Sequence, residues 1–292
     1  YFMLKQFNEP RLSFQLGDIR SFSDVSEALK GVDIVFNTAA LKQVPNCEYA
    51  PWQADLTNVQ GAENIVKAIS LNSLPVNTVV GIGTDKLCKP SNVMGMTKAL
   101  QERIFIHGNL RCPQTRFVCA RYGNILASRG SLIPLFHKQI EAGGPLTITS
   151  DRMTRFLMSL DEAVDLIFEA VNYGKRGEVF IPKVPSARIR DIAEVFSEAS
   201  GCPIDNIGAR PGEKLHEILV SQEEIPRTYQ RKTRFIIQPQ LEELAVGRDL
   251  PHYPFKTEYS SEIDVATKEQ VWTRLDKEKL LPGQADLDKL FL

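Results

Sequence analysis

The stretch Asn77-Thr78-Val79-Val80-Gly81-Ile82-Gly83-Thr84-Asp85-Lys86 decides the fold. A short, largely apolar, β-branched run stops abruptly at small and charged residues, the pattern of a buried strand that delivers polar groups at its carboxyl end. Three further runs repeat it. Leu12 to Leu16 leads into Gly17-Asp18-Ile19-Arg20, Asp33 to Asn37 into Thr38-Ala39-Ala40, and Arg116 to Ala120 into Arg121-Tyr122-Gly123-Asn124. Helical patterns separate them: Ser21 to Lys30, with Ser23 as N-cap and Gly31 closing it; Pro51 to Leu71, with proline suited to the first turn; and Val93 to His107. Such alternation predicts a parallel sheet wound with helices. In open sheets of this kind the ligand crevice lies at the carboxyl ends of the strands, so Asp18, Ala39, Thr84 and Asn124 are expected to line one cleft.

Beyond about residue 125 the alternation loosens. Ser131 to Ala142, Asp161 to Asn172 and Ile189 to Ser200 read as helices, and Leu146 to Thr149 and Val179 to Ile181 as short strands. With the segment Gly208 to Val220 they are expected to form a smaller α/β lobe. The stretch from about Ser221 is polar and punctuated by proline, and is expected to wrap the surface. The predicted division is residues 1–125 for the wound sheet and 126–292 for the second lobe and tail, with the lobes interleaved.

Charge excludes some partners. The 292 residues carry 35 basic and 36 acidic side chains, a net charge of −1, which gives no electrostatic reason to expect nucleic acid or an anionic membrane surface. Hydrophobic residues make up 43%, enough for a sizeable core. No apolar run approaches the ~20 residues of a membrane helix. Cys47, Cys88, Cys112, Cys119 and Cys202 are odd in number and scattered, so reduced thiols in a cytoplasmic protein are expected. The four histidines have no metal-ligand spacing, and no metal is expected. His216 and Glu217 read as structural residues on a helix.

The chemistry-bearing constellation is Thr84-Asp85-Lys86 followed by Met94-Gly95-Met96-Thr97-Lys98. A carboxyl and an amine at a strand end form an acid–base pair, a threonine hydroxyl beside them can donate to a ligand oxygen, and Lys98 falls on the next helix. Taken alone, these are better read as a turn aspartate and an exposed helix lysine, and the spacing does not outweigh that reading.

Further blocks follow in order: R-Y-G-N from Arg121, S-R-G-S from Ser128, M-T-R-F from Met153, R-P-G-E-K from Arg210, and Glu258-Tyr259-Ser260-Ser261. With T-D-K and M-G-M-T-K they resemble the UDP-N-acetylglucosamine 4,6-dehydratase family. These are extended short-chain dehydrogenase/reductases of capsule, O-antigen and flagellin-glycan synthesis, also labelled polysaccharide biosynthesis proteins. The resemblance implies a Rossmann-type domain over residues 1–125 that binds NAD or NADP, a nucleotide-sugar-binding lobe over 126–292, a UDP-sugar substrate and a homo-oligomer. It implies that Thr84, Asp85, Lys86, Met94 and Lys98 are catalytic. Asp18, Ile19, Ala39, Ala40, Lys42, Asn58, Lys98 and Tyr122 are implied to hold the cofactor, with Asp18 on the adenine amino group and Asn58 bracing strand and helix. Asn124, Ser131, Arg155, Arg210 and Glu213 are implied to hold the substrate, the two arginines clamping the diphosphate with their planar forks.

Two departures stand out. The superfamily's Y-x-x-x-K reads Met94-x-x-x-Lys98, and a thioether cannot exchange a proton as a phenol does; the acid–base work shifts to Thr84, Asp85, Lys86 or water. No glycine-rich phosphate loop precedes Asp18, so the sheet is expected to be N-terminally truncated by about forty residues, with the opening Tyr1-Phe2-Met3-Leu4-Lys5 reading as mid-helix. These residues alone are expected to bind cofactor poorly and to lack turnover. A UDP-sugar 4-epimerase shares fold, cofactor and clamp and is the rival activity. A catalytically silent UDP-sugar-binding subunit is a third reading.

Overall fold

The computed structural model describes residues 9–128, 130–245 and 256–285. The mid-helix expectation for residues 1–8, Arg129 of S-R-G-S, and parts of the tail lie outside the described residues.

A six-stranded sheet forms the centre. Four strands run parallel: β1 (Ile34–Asn37), β2 (Thr78–Ile82), β3 (Arg116–Ala120) and β4 (Val179–Pro182). An antiparallel hairpin, β5 (Thr228–Arg231) and β6 (Arg234–Ile237), completes the order β1-β2-β3-β4-β6-β5. Every residue of β2 is buried, as a strand covered on both faces requires. Alternation of side chains explains the two-sided cover. Phe117 stacks on Phe105 of the helix Val93–Arg111, with ring centroids 6.3 Å apart. Its neighbour Val118 points the other way, towards Gly174 at the end of the helix Leu160–Tyr173.

The hairpin corrects the expectation of a surface tail after Ser221. Gln230, Arg231, Lys232 and Arg234 give that segment a polar look, yet Tyr229, Phe235, Ile236 and Ile237 are buried in the main core. Val179–Pro182 likewise belongs to the main sheet and not to the smaller lobe. Leu12 to Leu16 forms no strand, and Leu12, Phe14 and Leu16 are exposed; apolar patterning without a neighbouring strand leaves the backbone with no ladder to join. Among the described residues β1 pairs only with β2, and Ile34 and Phe36 are exposed on it.

Local chemistry sets the helix ends. The helix Phe22–Ala28 is capped by Ser21, whose hydroxyl accepts from the Asp24 backbone N–H, and not by Ser23. Ser159 and Glu162 form a reciprocal capping box at Leu160–Tyr173. The stretch read as one helix from Pro51 to Leu71 is interrupted by a π-helical segment, Asp55–Gln60, before Gly61–Asn72 resumes. A wider turn of this kind rotates side chains off the regular spacing, and Asn58 lies on it.

A second core gathers around the helices Leu132–Glu141, Ile189–Ser200 and Lys268–Lys277. The strand Thr154–Met158 links the two cores: Phe156 belongs to the first and Leu157 to the second. It pairs with Asn124–Ile125 on one side and with Ser186–Arg188 on the other.

Candidate functional site

The carboxyl ends of β1, β2 and β3 open onto two adjoining cavities that share Thr38. The first is lined by Gly17, Asp18, Ile19, Asn37 and Ala39, among others. The second is lined by Ala40, Lys42, Thr84, Lys86, Met94, Lys98, Tyr122 and Asn124, among others. In place of one cleft, Asp18 and Ala39 thus line the first cavity and Thr84 and Asn124 the second.

The helix Val93–Arg111 builds one wall. Asn92 caps it, accepting from the Gly95 backbone N–H at 2.9 Å. One turn on, Lys98 is buried and donates to the Ile82 carbonyl at 2.6 Å, which ties the helix to the end of β2. Burial pulls its ammonium down to about 8, with Cys119 and Glu102 opposing. Met94 lines the second cavity and packs with Cys47 and Ala54, so the place of the usual phenol is held by an apolar, well-packed side chain. Asn58, fully buried, accepts from the Leu41 N–H at 2.8 Å and donates to the Leu41 carbonyl and to the Thr97 hydroxyl. The π-helical segment therefore joins the loop after β1 to this wall.

The T-D-K turn supplies the charged groups. Asp85 is fully buried; its Oδ1 accepts from the Thr84 hydroxyl at 2.8 Å and from Lys86 Nζ at 3.1 Å. Lys86 also lies 3.2 Å from Glu217 Oε1, and Arg155 Nε stands 3.9 Å from that same oxygen. Burial lowers the Lys86 ammonium and Arg155 adds to this, but Asp85 and Glu217 outweigh both and hold it above its ordinary range. Asp85 Oδ2, Glu217 Oε2 and Asn124 Oδ1 are buried without a hydrogen-bond partner. Buried acceptors left open in this way are commonly met by water or by a ligand.

Gly123, of R-Y-G-N, has a steric reason. A Cβ there would lie 2.5 Å from Cβ of Phe156, so glycine lets the end of β3 pass against the M-T-R-F strand.

The remaining expected residues lie as follows. The Asp18 carboxylate is taken up by Arg20, at 2.6 Å from Nη2, and those hydrogen bonds hold it below its usual range. Tyr122 lines the second cavity and is pushed up by burial, so it stays a neutral phenol near pH 7. Ser131 caps Leu132–Glu141 without a side-chain bond, and its buried hydroxyl has no partner. Arg155 donates to the carbonyls of Thr154 and Leu215, so protein acceptors already engage the fork. Arg210 is exposed, and its N–H meets the Glu213 carboxylate at 3.2 Å. The loop carrying both is pinned by Ser91 and Asn92, which donate to the Gly212 carbonyl. Ser131, Arg155, Arg210 and Glu213 are not among the residues lining the second cavity.

Sequence reasoning missed Glu217. It does not sit on a helix: it immediately precedes the strand Ile218–Val220, and it is almost fully buried. The signal was an acidic residue opening an apolar strand, a place where a carboxylate needs a specific partner.

Comparison with known proteins agrees with this architecture. The family model described as "Polysaccharide biosynthesis protein" matches residues 2–239. A "UDP-glucose 4-epimerase" of Rickettsia akari is 46% identical over 224 residues, covering 75% of this chain and 65% of that protein. The Rickettsia prowazekii protein of the same name matches with the same identity and coverage. The chain therefore spans just under two thirds of the length of these curated relatives. The X-ray structure of Pen from Bacillus thuringiensis is similar with a TM-score of 0.88 and 32% identity, over 96% of this chain and 86% of that one. DesIV, a dTDP-glucose 4,6-dehydratase from Streptomyces venezuelae, shares the fold with a TM-score of 0.68 at 19% identity, over 94% and 83% of the two chains.

Proposed function

Since the chain belongs to the polysaccharide biosynthesis protein family, we propose that it acts in a UDP-N-acetylglucosamine 4,6-dehydratase, with NAD or NADP bound in the cleft. The observation that carries this reading is the Thr84-Asp85-Lys86 cluster, in which a fully buried carboxyl holds an amine that lines one cavity with Lys98. Elimination of water across C5 and C6 needs a base at C5 and an acid at C6; exchange of configuration at C4 needs proton transfer only at the C4 hydroxyl.

The residues along the cleft fit a dinucleotide. Gly17, Asp18, Ile19 and Ala39 line a compartment for its adenosine end, and Asn37 offers a buried amide N–H without a partner there. Lys98 spends one of its three N–H groups on the Ile82 carbonyl and faces the second compartment, where a cation suits a ribose and a nicotinamide. Bound there, the nicotinamide supplies a reversible two-electron oxidant for the sugar. With C4 at the ketone level the C5 proton is acidic. Lys86 takes it, Asp85 protonates the departing C6 hydroxyl, and Thr84 fixes Asp85 by donating to Oδ1. Met94 keeps the wall dry and moves no proton.

One observation favours a second reading, a UDP-sugar 4-epimerase: the 46%-identical relatives carry that name. Proton NMR of the sugar nucleotide after incubation separates the two. Dehydration creates a C6 methyl signal and removes the C6 methylene, whereas epimerisation leaves C6 unchanged and alters the couplings at C4.

A further inference from the structure

Glu217 reaches Lys86 from a distant part of the chain and is held there with care. Its backbone N–H donates to the Ser261 hydroxyl at 2.9 Å, and the Ser261 N–H returns to the Glu217 carbonyl at 2.8 Å. The same Ser261 hydroxyl meets Thr154 Oγ1 at 2.7 Å and donates to the Thr154 carbonyl. Three segments, at 154, 217 and 261, are thus locked behind one carboxylate. Its Oε1 lies 3.2 Å from Lys86 Nζ and 3.9 Å from Arg155 Nε, while its buried Oε2 has no hydrogen-bond partner.

We propose that Glu217 is a positioning residue for Lys86, holding the ammonium against Asp85 and governing when it gives up its proton. The charged groups around Lys86 are Asp85, Glu217 and Arg155, and the cavity it opens on is also lined by Lys42, Lys98 and Tyr122. At rest, two carboxylates face two cations, so the cluster is neutral overall. Passing one proton from Nζ to Asp85 Oδ1, across 3.1 Å, yields a neutral amine and a neutral carboxylic acid without changing the cluster's charge. The amine then forms an N–H bond to the C5 proton, and the C5–H electron pair becomes the C5–C6 double bond. The C6–O bond breaks, and its oxygen leaves as water with the proton from Asp85. Ammonium and carboxylate are restored. Glu217 favours the ammonium at both ends of this cycle, and so opposes the amine until substrate enters. The cycle rests on the dehydratase reading; the placement of Lys86 does not.

The test is the pH dependence of Lys86 acylation by isotopically labelled acetic anhydride in the full chain, read by peptide mass spectrometry with exposed Lys30 as reference. Lys86 is expected to titrate above Lys30 in the native protein. In folded Glu217→Gln its midpoint is expected to fall by at least about one pH unit, the usual effect of one opposite charge at this distance. In the turning-over enzyme the alkaline limb of the kcat profile, where the pair loses its shared proton, moves down with it while KM holds. A Lys86 midpoint at or below that of Lys30 in the native protein overturns the proposal even where the variant does not fold. An equal midpoint in folded Glu217→Gln overturns it too. Because labelling needs no turnover, a shifted midpoint in a protein that releases no water upholds Glu217 and removes the dehydratase. An unshifted midpoint with water release does the reverse.

Discussion

Gly95 is pressed against the backbone of Lys86: a Cβ added at Gly95 would overlap the Lys86 carbonyl oxygen. The first turn of the helix Val93–Arg111 therefore sits directly on the turn that carries Asp85 and Lys86, which fixes the distance between the T-D-K groups and Lys98 on that helix. Gly95→Ala must push the two apart. It is expected to cost about 1–3 kcal/mol, as overpacking does, and to lower turnover. Gly108→Ala in the same helix meets only side chains, Val66 and Phe117, at 3.2–3.3 Å, and is expected to change stability much less. Thermal unfolding of the two variants checks the contrast.

Asp85→Asn keeps the shape of the side chain but cannot deliver a proton. Turnover is expected to fall by about 10²–10⁴-fold, the usual worth of a positioned general acid, with affinity for the sugar nucleotide retained. Steady-state kinetics beside equilibrium binding of the UDP-sugar tests this.

Lys98 titrates at about 8 because it is buried with little opposing charge. It is an ammonium below that pH and an amine above it, so a role as the cation beside a bound nicotinamide weakens as pH rises through about 8. Cofactor affinity is expected to fall across that range in the native protein. Lys98→Met is expected to bind about tenfold or more weakly at neutral pH, equivalent to about 1.4 kcal/mol, and to show no such slope. Fluorescence titration with reduced cofactor between about pH 6.5 and about pH 9.5 reads both.

Arg121 is a buried hub: Glu102 and Glu224 lie 2.6 and 2.7 Å from its Nη2. Burial pushes the Glu224 carboxyl up, but Arg121 outweighs it and holds the group at about 2. The native state thus keeps Glu224 ionised where the unfolded chain, at 4.5, begins to bind protons. This contribution to stability is complete above about 4.5 and is lost as pH falls from there through about 2. Glu224→Gln is expected to cost about 3 kcal/mol near neutrality, as breaking a buried pair does. The gap to the native protein should close across that acidic window in urea unfolding.

Much of this architecture was readable because buried parallel strands write themselves as apolar runs with polar ends; β1, β2 and β3 fall within one residue of where those runs place them. Other parts depend on neighbours the local pattern does not name. Leu12 to Leu16 has strand composition but no ladder, while β5 and β6 have charged side chains but join one. Ser21 and Ser23 are equally good caps by type, and only the contact with the Asp24 N–H distinguishes them. Thr84, Lys86, Met94 and Lys98 line one cavity, with Asp85 buried behind Lys86, because the strand-end rule and helix spacing bring them there. Glu217 was invisible to both rules, since residues 86, 155 and 217 converge only through tertiary packing.

Acting as proposed, the Asp85–Lys86 pair eliminates water from a UDP-N-acetylhexosamine. The direct test is to incubate the protein, in a form that carries a glycine-rich phosphate loop, with UDP-N-acetylglucosamine and NAD or NADP in deuterium oxide and to weigh the sugar nucleotide by mass spectrometry. Dehydration gives a product that has lost one water and gained one solvent deuterium at C5. A sugar nucleotide converted to its C4 epimer with unchanged mass and no deuterium would contradict it.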